Sequence, residues 1–400
     1  MRALRVRPVA PFRTSSLDQD AVKVVRRLTE SGFEAYLVGG CVRDMLLGLQ
    51  PKDFDIATAA TPRQVKRLFR NSRVIGRRFR LVHVVFGDKV LEVSTFRALA
   101  KPHAAGADPL IREDNVWGTA AEDALRRDFT LNGLFYDIAS GEVIDYVSGL
   151  RDLDRRCIET IGNPSVRFRE DPVRMLRAMK FAGRLGLHLA NDVYQAIVDS
   201  AADISKASGP RVHEEIVRML DRGGAASTVS LLEKTGLLGI MLPEVEAVLR
   251  TRWAAGETPL TWKRFEALDQ MVMSGRQASA ALRFAVLFGE LIEPITGEDA
   301  PDLPPATAAG RIEDVLRPVL ARLHMPRRDV WMMKQIWMAQ RRLLHLPAAR
   351  KKPNSALFLR REYFADALRY LMFTAGATGR GQERADAWLA FMRGSIAAGA

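Results

Sequence analysis

The chain has 400 residues, of which 48% are hydrophobic and 27% are charged. This composition is that of ordinary globular domains, and the length corresponds to two or three domains of about 100–200 residues each. It excludes a broadly disordered chain, and the apolar runs are far shorter than the ~20 residues of a membrane-spanning helix. Lysine and arginine number 60 against 47 acidic residues, a net charge of +13 that predicts a polyanionic partner. The alternative is a GC-rich genome that favours arginine codons, and composition alone leaves both open.

The cysteine content points to a reducing compartment. Cys41 and Cys157 are the two cysteines, and they form no CxxC pair. A disulfide scaffold and a cysteine-based zinc site are therefore not expected, and the cytoplasm is the predicted location.

Residues 1–17 are predicted to form a flexible basic arm. The first fifteen residues contain Arg2, Arg5, Arg7 and Arg13, two prolines and no acid. They lack the apolar core of a secretory signal. An organellar targeting peptide shares this arginine-rich, acid-poor bias and is the alternative interpretation.

The next 80 residues alternate helical and strand patterns. The capping pattern Ser16-x-x-Gln19 predicts the start of a helix that ends at Gly32, and Thr61-Pro62 predicts the start of another. Gly87-Asp88 predicts a hairpin turn. The remaining predicted elements are a strand at 35–38, a helix at 42–47, and strands at 53–57, 79–86 and 90–96.

Beyond residue 147 the strand signals fade, and leucine, alanine, methionine and arginine recur at helical spacing. The predicted organisation is a mixed α/β unit at 18–147 followed by helical segments at 148–222 and 223–400. The predicted fold class is therefore α+β, with an N-terminal mixed sheet followed by helices.

Two aspartates separated by one residue follow a glycine turn. Residues two apart on a strand point to the same side, so Asp53 and Asp55 are expected to project together while Phe54 and Ile56 face the other way. Neighbouring carboxylates favour a cation between them, and hard oxygen ligands suit Mg²⁺ that shares substrate phosphates. Two such ions would activate an attacking hydroxyl and stabilise a leaving phosphate.

The turn Gly39-Gly40 supplies the other half of such a site. Backbone without side chains can approach a triphosphate closely, the following helix offers unpaired N–H groups, and Arg43 adds a cation. A glycine turn or a DxD triplet alone is commonly structural. Their combination at this spacing is far rarer and predicts a metal-dependent triphosphate site.

A third acid is expected on a neighbouring strand if two metal ions bind. Glu92 lies between the apolar residues Leu91 and Val93 of a predicted strand. It is therefore either a residue of an exposed strand face or a metal ligand, and the pattern leaves both open.

Two further segments combine arginines with acids, namely RRDFTLN at 126–132 and REDPVRMLR at 169–177. In the second segment, Asp171 and Pro172 predict a helix start that places Arg174 and Arg177 on one face. Such an array of donors and acceptors is suited to reading a base edge. The alternative is a helix cap with surface ion pairs.

Together these residues identify a family resemblance. The stretches LVGGCVRDMLLG…KDFDIATAATP, RRDFTLNGL and REDPVRMLRAMKFAGRLG resemble the class II nucleotidyltransferases of the polymerase-β superfamily. This family comprises CCA-adding tRNA enzymes and bacterial poly(A) polymerases. The similarity runs from about residue 36 to residue 187. It implies a polymerase-β-like catalytic head at 18–147, a helical neck with base- and RNA-binding elements at 148–222, and a helical body with a C-terminal RNA-binding region at 223–400.

The resemblance implies roles for individual residues. Asp53 and Asp55 are expected to bind two Mg²⁺ ions, and Asp128 is expected to complete the active site near the sugar. The residues expected to bind the nucleotide are Gly39, Gly40, Arg43 and Arg127, with Glu170, Asp171 and Arg174 facing the base and Arg177 beside them.

Residues 69–84, FRNSRVIGRRFRLVHV, look like the segment that marks the bacterial poly(A) polymerases. His83 belongs to this segment and has no predicted role. The expected activity is template-independent addition of AMP from ATP to RNA 3′ ends, with the positive helical region holding the RNA backbone. The alternatives are CCA addition to tRNA by the same chemistry, and an RNA-binding protein that has kept the fold but lost turnover.

Overall fold

The structure, a computed structural model, describes residues 3–8, 12, 17–76, 80–99, 116–221, 223–345 and 357–397. The chain divides into two compact units. The first contains Met1–Arg174 and Leu187–Ser200, and the second contains Met175–Gly186 and Ala201–Ala400. The predicted limits of the head, neck and body stay a prediction, because these units describe compactness rather than function.

The first unit contains a mixed β-sheet. In the described part of the chain its eight strands lie in the order β1-β8-β7-β2-β3-β6-β5-β4, with β3 and β6 parallel and the other neighbours antiparallel. The strands are β1 (Leu4–Val6), β2 (Ala35–Val38), β3 (Asp55–Thr58), β4 (Ser72–Ile75), β5 (Leu81–Phe86), β6 (Lys89–Thr95), β7 (Leu134–Asp137) and β8 (Glu142–Asp145). The predicted α+β fold with an N-terminal mixed sheet is confirmed.

Strand β1 corrects the prediction of a flexible arm over residues 1–17. Leu4–Val6 pairs antiparallel with β8, and Nη1 of Arg5 lies 3.4 Å from Glu142 and 3.8 Å from Asp137. Without β1, the backbone groups along the outer side of β8 would lack partners, so pairing with Leu4–Val6 satisfies them. The two carboxylates neutralise the charge of Arg5. Residues 1–2, 9–11 and 13–16 of the predicted arm lie outside the described residues.

The first unit also contains seven α-helices among its described residues. They are α1 (Gln19–Glu30), α2 (Gly40–Leu46), α3 (Pro62–Leu68), α4 (Ala120–Arg126), α5 (Gly149–Asp154), α6 (Pro164–Glu170) and α8 (Asn191–Ser200), with a 3-10 helix at Thr130–Asn132. A short parallel pair, β9 (Cys157–Ile158) and β10 (His188–Leu189), departs from the predicted all-helical neck.

Several predicted helix caps and turns are confirmed, and the predicted starts of one helix and one strand are displaced by two residues. Thr61 caps α3 with Pro62 at its first position, and β5 and β6 form the predicted hairpin. The cap of α1 is Asp18, whose side chain accepts the N–H groups of Asp20 and Ala21, whereas Ser16 lies outside the described residues. Strand β3 begins at Asp55 rather than at residue 53.

A buried cluster fixes α4 against one face of the sheet. Ala120 and Ala124 of α4 pack with Tyr36, Phe96 and Phe135 of the sheet region. The small alanine side chains allow a close approach of helix to sheet. The residues that follow α4 are thereby held near the ends of β2 and β7.

The second unit is helical throughout its described residues. Helix α7 (Val173–Leu185) begins at the boundary of the two units. The other helices are α9 (Gly209–Leu220), α10 (Ala225–Lys234), α11 (Leu237–Met241), α12 (Pro243–Ala254), α13 (Leu260–Met273), α14 (Ala280–Leu287), α15 (Gly289–Thr296), α16 (Pro305–Leu323), α17 (Arg327–Leu343), α18 (Phe364–Thr378) and α19 (Gln382–Ala397), with a 3-10 helix at Ala201–Lys206. Across the described ranges, no helix combines the length and apolar character needed to cross a bilayer.

Candidate active site

The end of β2 and the start of β3 lie side by side. Val38, the last residue of β2, pairs with Asp55, the first residue of β3. Val38 also pairs with Phe135 of β7, and the N–H of Gly39 donates to the carbonyl of Leu134 at 3.0 Å. The glycine turn, the aspartate pair and the start of β7 therefore meet at one edge of the sheet.

The two aspartates of the DxD triplet are both open to solvent. Asp53 and Asp55 are exposed, whereas Phe54 and Ile56 are buried with relative exposures of 6% and 0%. This alternation matches the predicted pattern, although Asp53 precedes the strand. Two exposed carboxylates at the start of a strand are a hard oxygen donor set that fits a divalent cation such as Mg²⁺.

Cys41 lies next to this pair and contributes no thiolate. Its thiol is buried and free, and it donates to the carbonyl of Val38 at 3.3 Å. Burial, together with the charge of Asp55, raises the pKa of Cys41 to about 12. The thiol therefore stays protonated at neutral pH, and the donors at this edge are oxygens.

Glu92 lies on β6, one residue before Val93, which pairs with Ile56 of β3. This register puts Glu92 on the strand neighbouring Asp55, and its half-exposed carboxylate lies 3.5 Å from Nε2 of His83. Among the described residues, no group of three or more histidine, cysteine or acidic side chains is arranged to hold a metal ion. A ligand role for Glu92 thus stays a prediction. The structure places His83, for which the sequence predicted no role, beside this carboxylate.

The glycine turn is required by its backbone conformation. Gly39 precedes α2 with φ 74° and ψ −124°, a region that residues with a side chain rarely adopt. A Cβ atom at this position would lie 2.9 Å from Nη1 of Arg127. The absence of a side chain at Gly39 therefore leaves room for the arginine.

We expect Gly39→Ala to reduce the free energy of unfolding by about 1–3 kcal/mol and to raise the KM for the nucleoside triphosphate that the glycine turn is predicted to bind. The added methyl group strains the backbone and displaces Arg127. Urea unfolding and steady-state kinetics measure the two effects.

Gly48→Ala is the matched control, because Gly48 has φ 71° but no described heavy atom within 4 Å of the position that a Cβ atom would take. It should cost about 1–2 kcal/mol of stability from backbone strain and leave the KM for the triphosphate unchanged. Equal KM values for wild type and Gly39→Ala would contradict the steric argument.

A buried hydrogen-bond chain links α2 to the loop after α4. Arg43 is 3% exposed, and its Nε and Nη2 donate to Oδ1 of Asp44 at 2.9 and 2.7 Å. Its Nη1 donates to Oδ1 of Asn132 at 2.6 Å, and Nδ2 of Asn132 donates to Oδ1 of Asp128 at 3.0 Å. Arg43 is thus buried and braces the turn in this structure, while the predicted contact of Gly40 and Arg43 with a triphosphate stays a prediction.

Asn132 was missed by the sequence reasoning, although it lies within RRDFTLN. The signal that points to it is its position four residues after Asp128, where a carboxamide can accept from one group and donate to another.

Arg127 is placed above the sheet by the end of α4. Its side chain is 22% exposed, its Nη2 donates to Asp123 at 3.0 Å, and its Nη1 donates to the carbonyl of Asn132 at 3.3 Å. The guanidinium carbon lies 5.3 Å from the ring centre of Phe135. The group is fixed in direction and partly open to solvent, and its predicted role in nucleotide binding stays a prediction.

Glu170 is held between two arginines. Nη1 of Arg167 and Nη1 of Arg174 donate to the same oxygen of Glu170 at 2.8 and 2.9 Å. Nη2 of Arg167 donates to the carbonyls of Arg126 and Arg127 at 2.7 and 2.5 Å, which ties α6 to the end of α4. Arg167 was missed by the sequence reasoning, and its spacing of three residues from Glu170 is the signal that could have identified it.

The charges around Glu170 favour an anion. Burial, together with the charges of Arg97, Arg167 and Arg174, lowers the pKa of Arg126 to about 10. Burial also lowers the pKa values of Arg97 and Arg167. Because partly buried guanidiniums repel one another, the negative charge of Glu170 among them is stabilising.

Two predicted base-side residues have different surroundings. Asp171 ends α6, and its carbonyl accepts the N–H of Arg174 at 3.0 Å. Arg177 belongs to the second unit, where its Nη1 lies 3.7 Å from Glu215. The other oxygen of Glu215 accepts from Lys180 at 2.6 Å, and burial together with Arg177 lowers the pKa of Lys180 to about 8. The role of Arg177 beside the nucleotide stays a prediction.

Three family models match successive parts of the chain. The Poly A polymerase head domain matches residues 35–159, which contain the sheet edge described above. The probable RNA and SrmB-binding site of polymerase A matches residues 186–249, and the polymerase A arginine-rich C-terminus matches residues 302–397.

Known proteins are similar over most of the chain. A Poly(A) polymerase I of Salmonella typhimurium is 37% identical over 338 residues, which cover 82% of this chain and 72% of the relative. A CCA-adding enzyme of a Geobacillus species is 38% identical over 245 residues, 59% of each chain. The crystal structure of the Bacillus stearothermophilus CCA-adding enzyme in complex with CTP matches with a TM-score of 0.65 and 30% identity, covering 95% of this chain and 82% of that one. The chain therefore belongs to the poly(A) polymerase and CCA-adding family of nucleotidyltransferases.

Proposed function

We propose that this nucleotidyltransferase adds AMP from ATP to the 3′ hydroxyl of RNA without a template. The observation that carries the proposal is that the exposed pair Asp53 and Asp55 meets the turn at Gly39 on one sheet edge. The poly(A) polymerase relative covers 82% of this chain and the CCA-adding relative 59%, which favours adenylation. We place the reaction in the cytoplasm, where the free thiols Cys41 and Cys157 stay reduced.

In the proposed reaction, the RNA 3′ oxygen bonds to the α-phosphorus of ATP while the bond to the pyrophosphate oxygen breaks, and the hydroxyl proton leaves to solvent. Asp53 and Asp55 would hold two Mg²⁺ ions, which when bound activate the hydroxyl and neutralise the leaving pyrophosphate. Arg127 would orient the nucleotide, and Asp128, held by Asn132, would border the sugar. The chain contributes positioning and electrostatic stabilisation, as is usual for phosphoryl transfer.

Adenine selection is assigned to the acid and arginine pair on α6 and α7. Glu170 accepts from Arg174 at 2.9 Å, and both side chains are partly exposed, at 20% and 12%. A carboxylate and a guanidinium held in fixed directions can present acceptors and donors to a base edge. Asp171 is proposed to assist in the same recognition.

We expect Arg174→Ala to reduce the preference for ATP over CTP by about 5- to 150-fold, since a bidentate contact contributes about 1–3 kcal/mol of discrimination. The variant releases Glu170 from one of its two arginines and removes a fixed donor. The kcat/KM values for ATP and CTP measure the change.

Arg169→Ala is the matched control, because Arg169 is exposed on the same helix as Glu170 and donates only to the carbonyl of Ser165 among its described hydrogen bonds. It should keep the wild-type preference. Equal losses of kcat/KM for both nucleotides in Arg174→Ala would contradict a base-reading role.

The experiment that tests the proposed function is extension of a short RNA with each of the four ribonucleotides separately. We expect efficient incorporation of AMP, repeated addition to one primer, and little use of the other three nucleotides. Failure to incorporate any nucleotide in the presence of Mg²⁺ would overturn the proposal.

CCA addition to tRNA is the second candidate. A specific observation favours it, namely the similarity to a solved CCA-adding enzyme bound to CTP. A tRNA that lacks its terminal CCA, supplied with CTP alone and then with ATP alone, separates the two. Incorporation of CMP followed by one AMP would favour CCA addition over polyadenylation.

A further inference from the structure

Helix α17 exposes a single tryptophan on a face that is otherwise polar and basic. Trp331 is 48% exposed, whereas Met333, Ile336 and Trp337 on the other side of the helix are fully buried. The buried side of α17 is thus already occupied by core packing. Trp331 is therefore exposed even though its helix packs firmly against the core on the opposite side.

A row of aromatic rings continues from Trp331. Its ring centre lies 6.1 Å from that of Tyr363 at an interplanar angle of 71°, and Tyr363 lies 6.4 Å from Phe358. The guanidinium of Arg342 lies 4.2 Å from the ring centre of Phe358. Because Trp331 and Tyr363 meet edge to face, their contact orients the indole without a stacked partner.

Arginines border this row. Arg327 lies one helical turn before Trp331, and Arg360 and Arg361 follow Phe358 in the chain, all three exposed. With other described residues these three arginines make no ion pair. A cationic surface with one accessible aromatic ring is complementary to a strand whose phosphates are charged and whose bases have open faces.

We propose that Trp331 stacks on a base of single-stranded RNA while Arg327, Arg360 and Arg361 contact its phosphates. The inference rests on the proposed function, in that the strand is the RNA being extended. Stacking of a base on an aromatic side chain is tolerant of sequence, because every base presents a π face. Such a site suits an enzyme whose substrates share a 3′ end rather than a sequence.

The test measures binding to a fluorescein-labelled oligo(A) of about fifteen nucleotides, close to the largest site size of one single-strand-binding fold. We expect Trp331→Ala to raise the Kd by about 5- to 150-fold, and Trp331→Phe to stay within about threefold of wild type because it keeps a stacking ring. Fluorescence anisotropy gives the Kd, and circular dichroism establishes that both variants are folded.

Trp253→Ala is the matched control. Trp253 is 41% exposed and meets Trp262 edge to face at 6.0 Å, so it resembles Trp331 in exposure and packing. Its neighbour Arg252 is already paired with Glu257 and Glu290. Binding of oligo(A) should be unchanged in this variant, and a loss equal to that of Trp331→Ala would overturn the proposal.

Two further measurements separate stacking from charge. An abasic strand of the same length should bind wild type and Trp331→Ala equally, since it lacks the stacking base. The double variant Arg360→Gln, Arg361→Gln should reduce the slope of log Kd against log salt by about 1.4, at about 0.7 for each phosphate contact to a single strand. Trp331→Ala should keep the wild-type slope.

The outcomes distinguish this inference from the proposed function. Unchanged oligo(A) affinity in Trp331→Ala, or an equal loss on the abasic strand, overturns the stacking site even if the enzyme adds AMP normally. Trp331-dependent binding in an enzyme that incorporates no nucleotide supports the stacking site and overturns the proposed function.

Discussion

Replacing Asp55 by asparagine is expected to lower the rate of AMP incorporation by about a hundredfold to a thousandfold. Asparagine keeps the size of the side chain and removes its charge, so it cannot hold a hard divalent cation as a carboxylate does. The proposed chemistry depends on electrostatic stabilisation, which the loss of a metal-binding charge weakens. Asp53→Asn should have an effect of similar size. Transfer of labelled AMP to a short RNA at saturating ATP measures both.

The fold should be unaffected by this substitution. Asp55 is exposed, and its strand is held by backbone pairing with Val38 of β2. Asp88→Asn is the matched control, since Asp88 is an exposed carboxylate in the turn between β5 and β6. It should have wild-type activity. Near-normal incorporation by both Asp53→Asn and Asp55→Asn would rule out the metal assignment.

Replacing Arg264 by alanine is expected to reduce the free energy of unfolding by about 3–5 kcal/mol. Arg264 is fully buried in the second unit, and its Nη2 donates to both oxygens of Glu293 at 3.0 and 2.9 Å. Its Nε donates to Thr374 at 3.1 Å, and its guanidinium carbon lies 5.0 Å from the ring centre of Tyr370. Truncation leaves a carboxylate and a hydroxyl without their donor and opens a cavity. Urea unfolding followed by circular dichroism measures the loss.

A double variant tests the cause. Arg264→Met with Glu293→Met removes both charges and fills the volume, and it should recover most of the stability lost by Arg264→Ala. Arg317→Ala is the surface control, because Arg317 and its partner Asp314 are 72% and 68% exposed. It should change the free energy of unfolding by less than about 1 kcal/mol. A similar loss in Arg317→Ala and Arg264→Ala would contradict the dependence on burial.

Local patterns were sufficient for most elements that carry the site. Strand β2, the cap of α3 at Thr61 and the hairpin between β5 and β6 follow from alternation, capping and turn signals over a few residues. The errors occur where pairing with a distant segment decides. Leu4–Val6 joins the edge of β8 about 140 residues away, and nothing in its composition distinguishes this from a free arm.

The same limit applies to the site. The aspartate pair and the glycine turn are readable because each is defined within three residues. Asn132 and Arg167 each have a partner within four residues, but the contacts that tie them to the site are distant: Arg43 is 89 residues from Asn132, and Arg126 is 41 residues from Arg167. The predicted alternation at Asp53 and Asp55 holds even though the strand begins later, since buried Phe54 and Ile56 orient the chain.

The amino-acid order alone determined which chemical groups this protein has available: neighbouring carboxylates, a turn without side chains, and a large excess of guanidinium groups. Those are local or compositional properties. Only the tertiary structure decided which of them meet, through the register of β2 with β3 and the burial of Arg43 between Asp44 and Asn132. The physical reason is that contacts between distant segments are selected by burial and hydrogen-bond satisfaction over the whole fold, which no short pattern encodes.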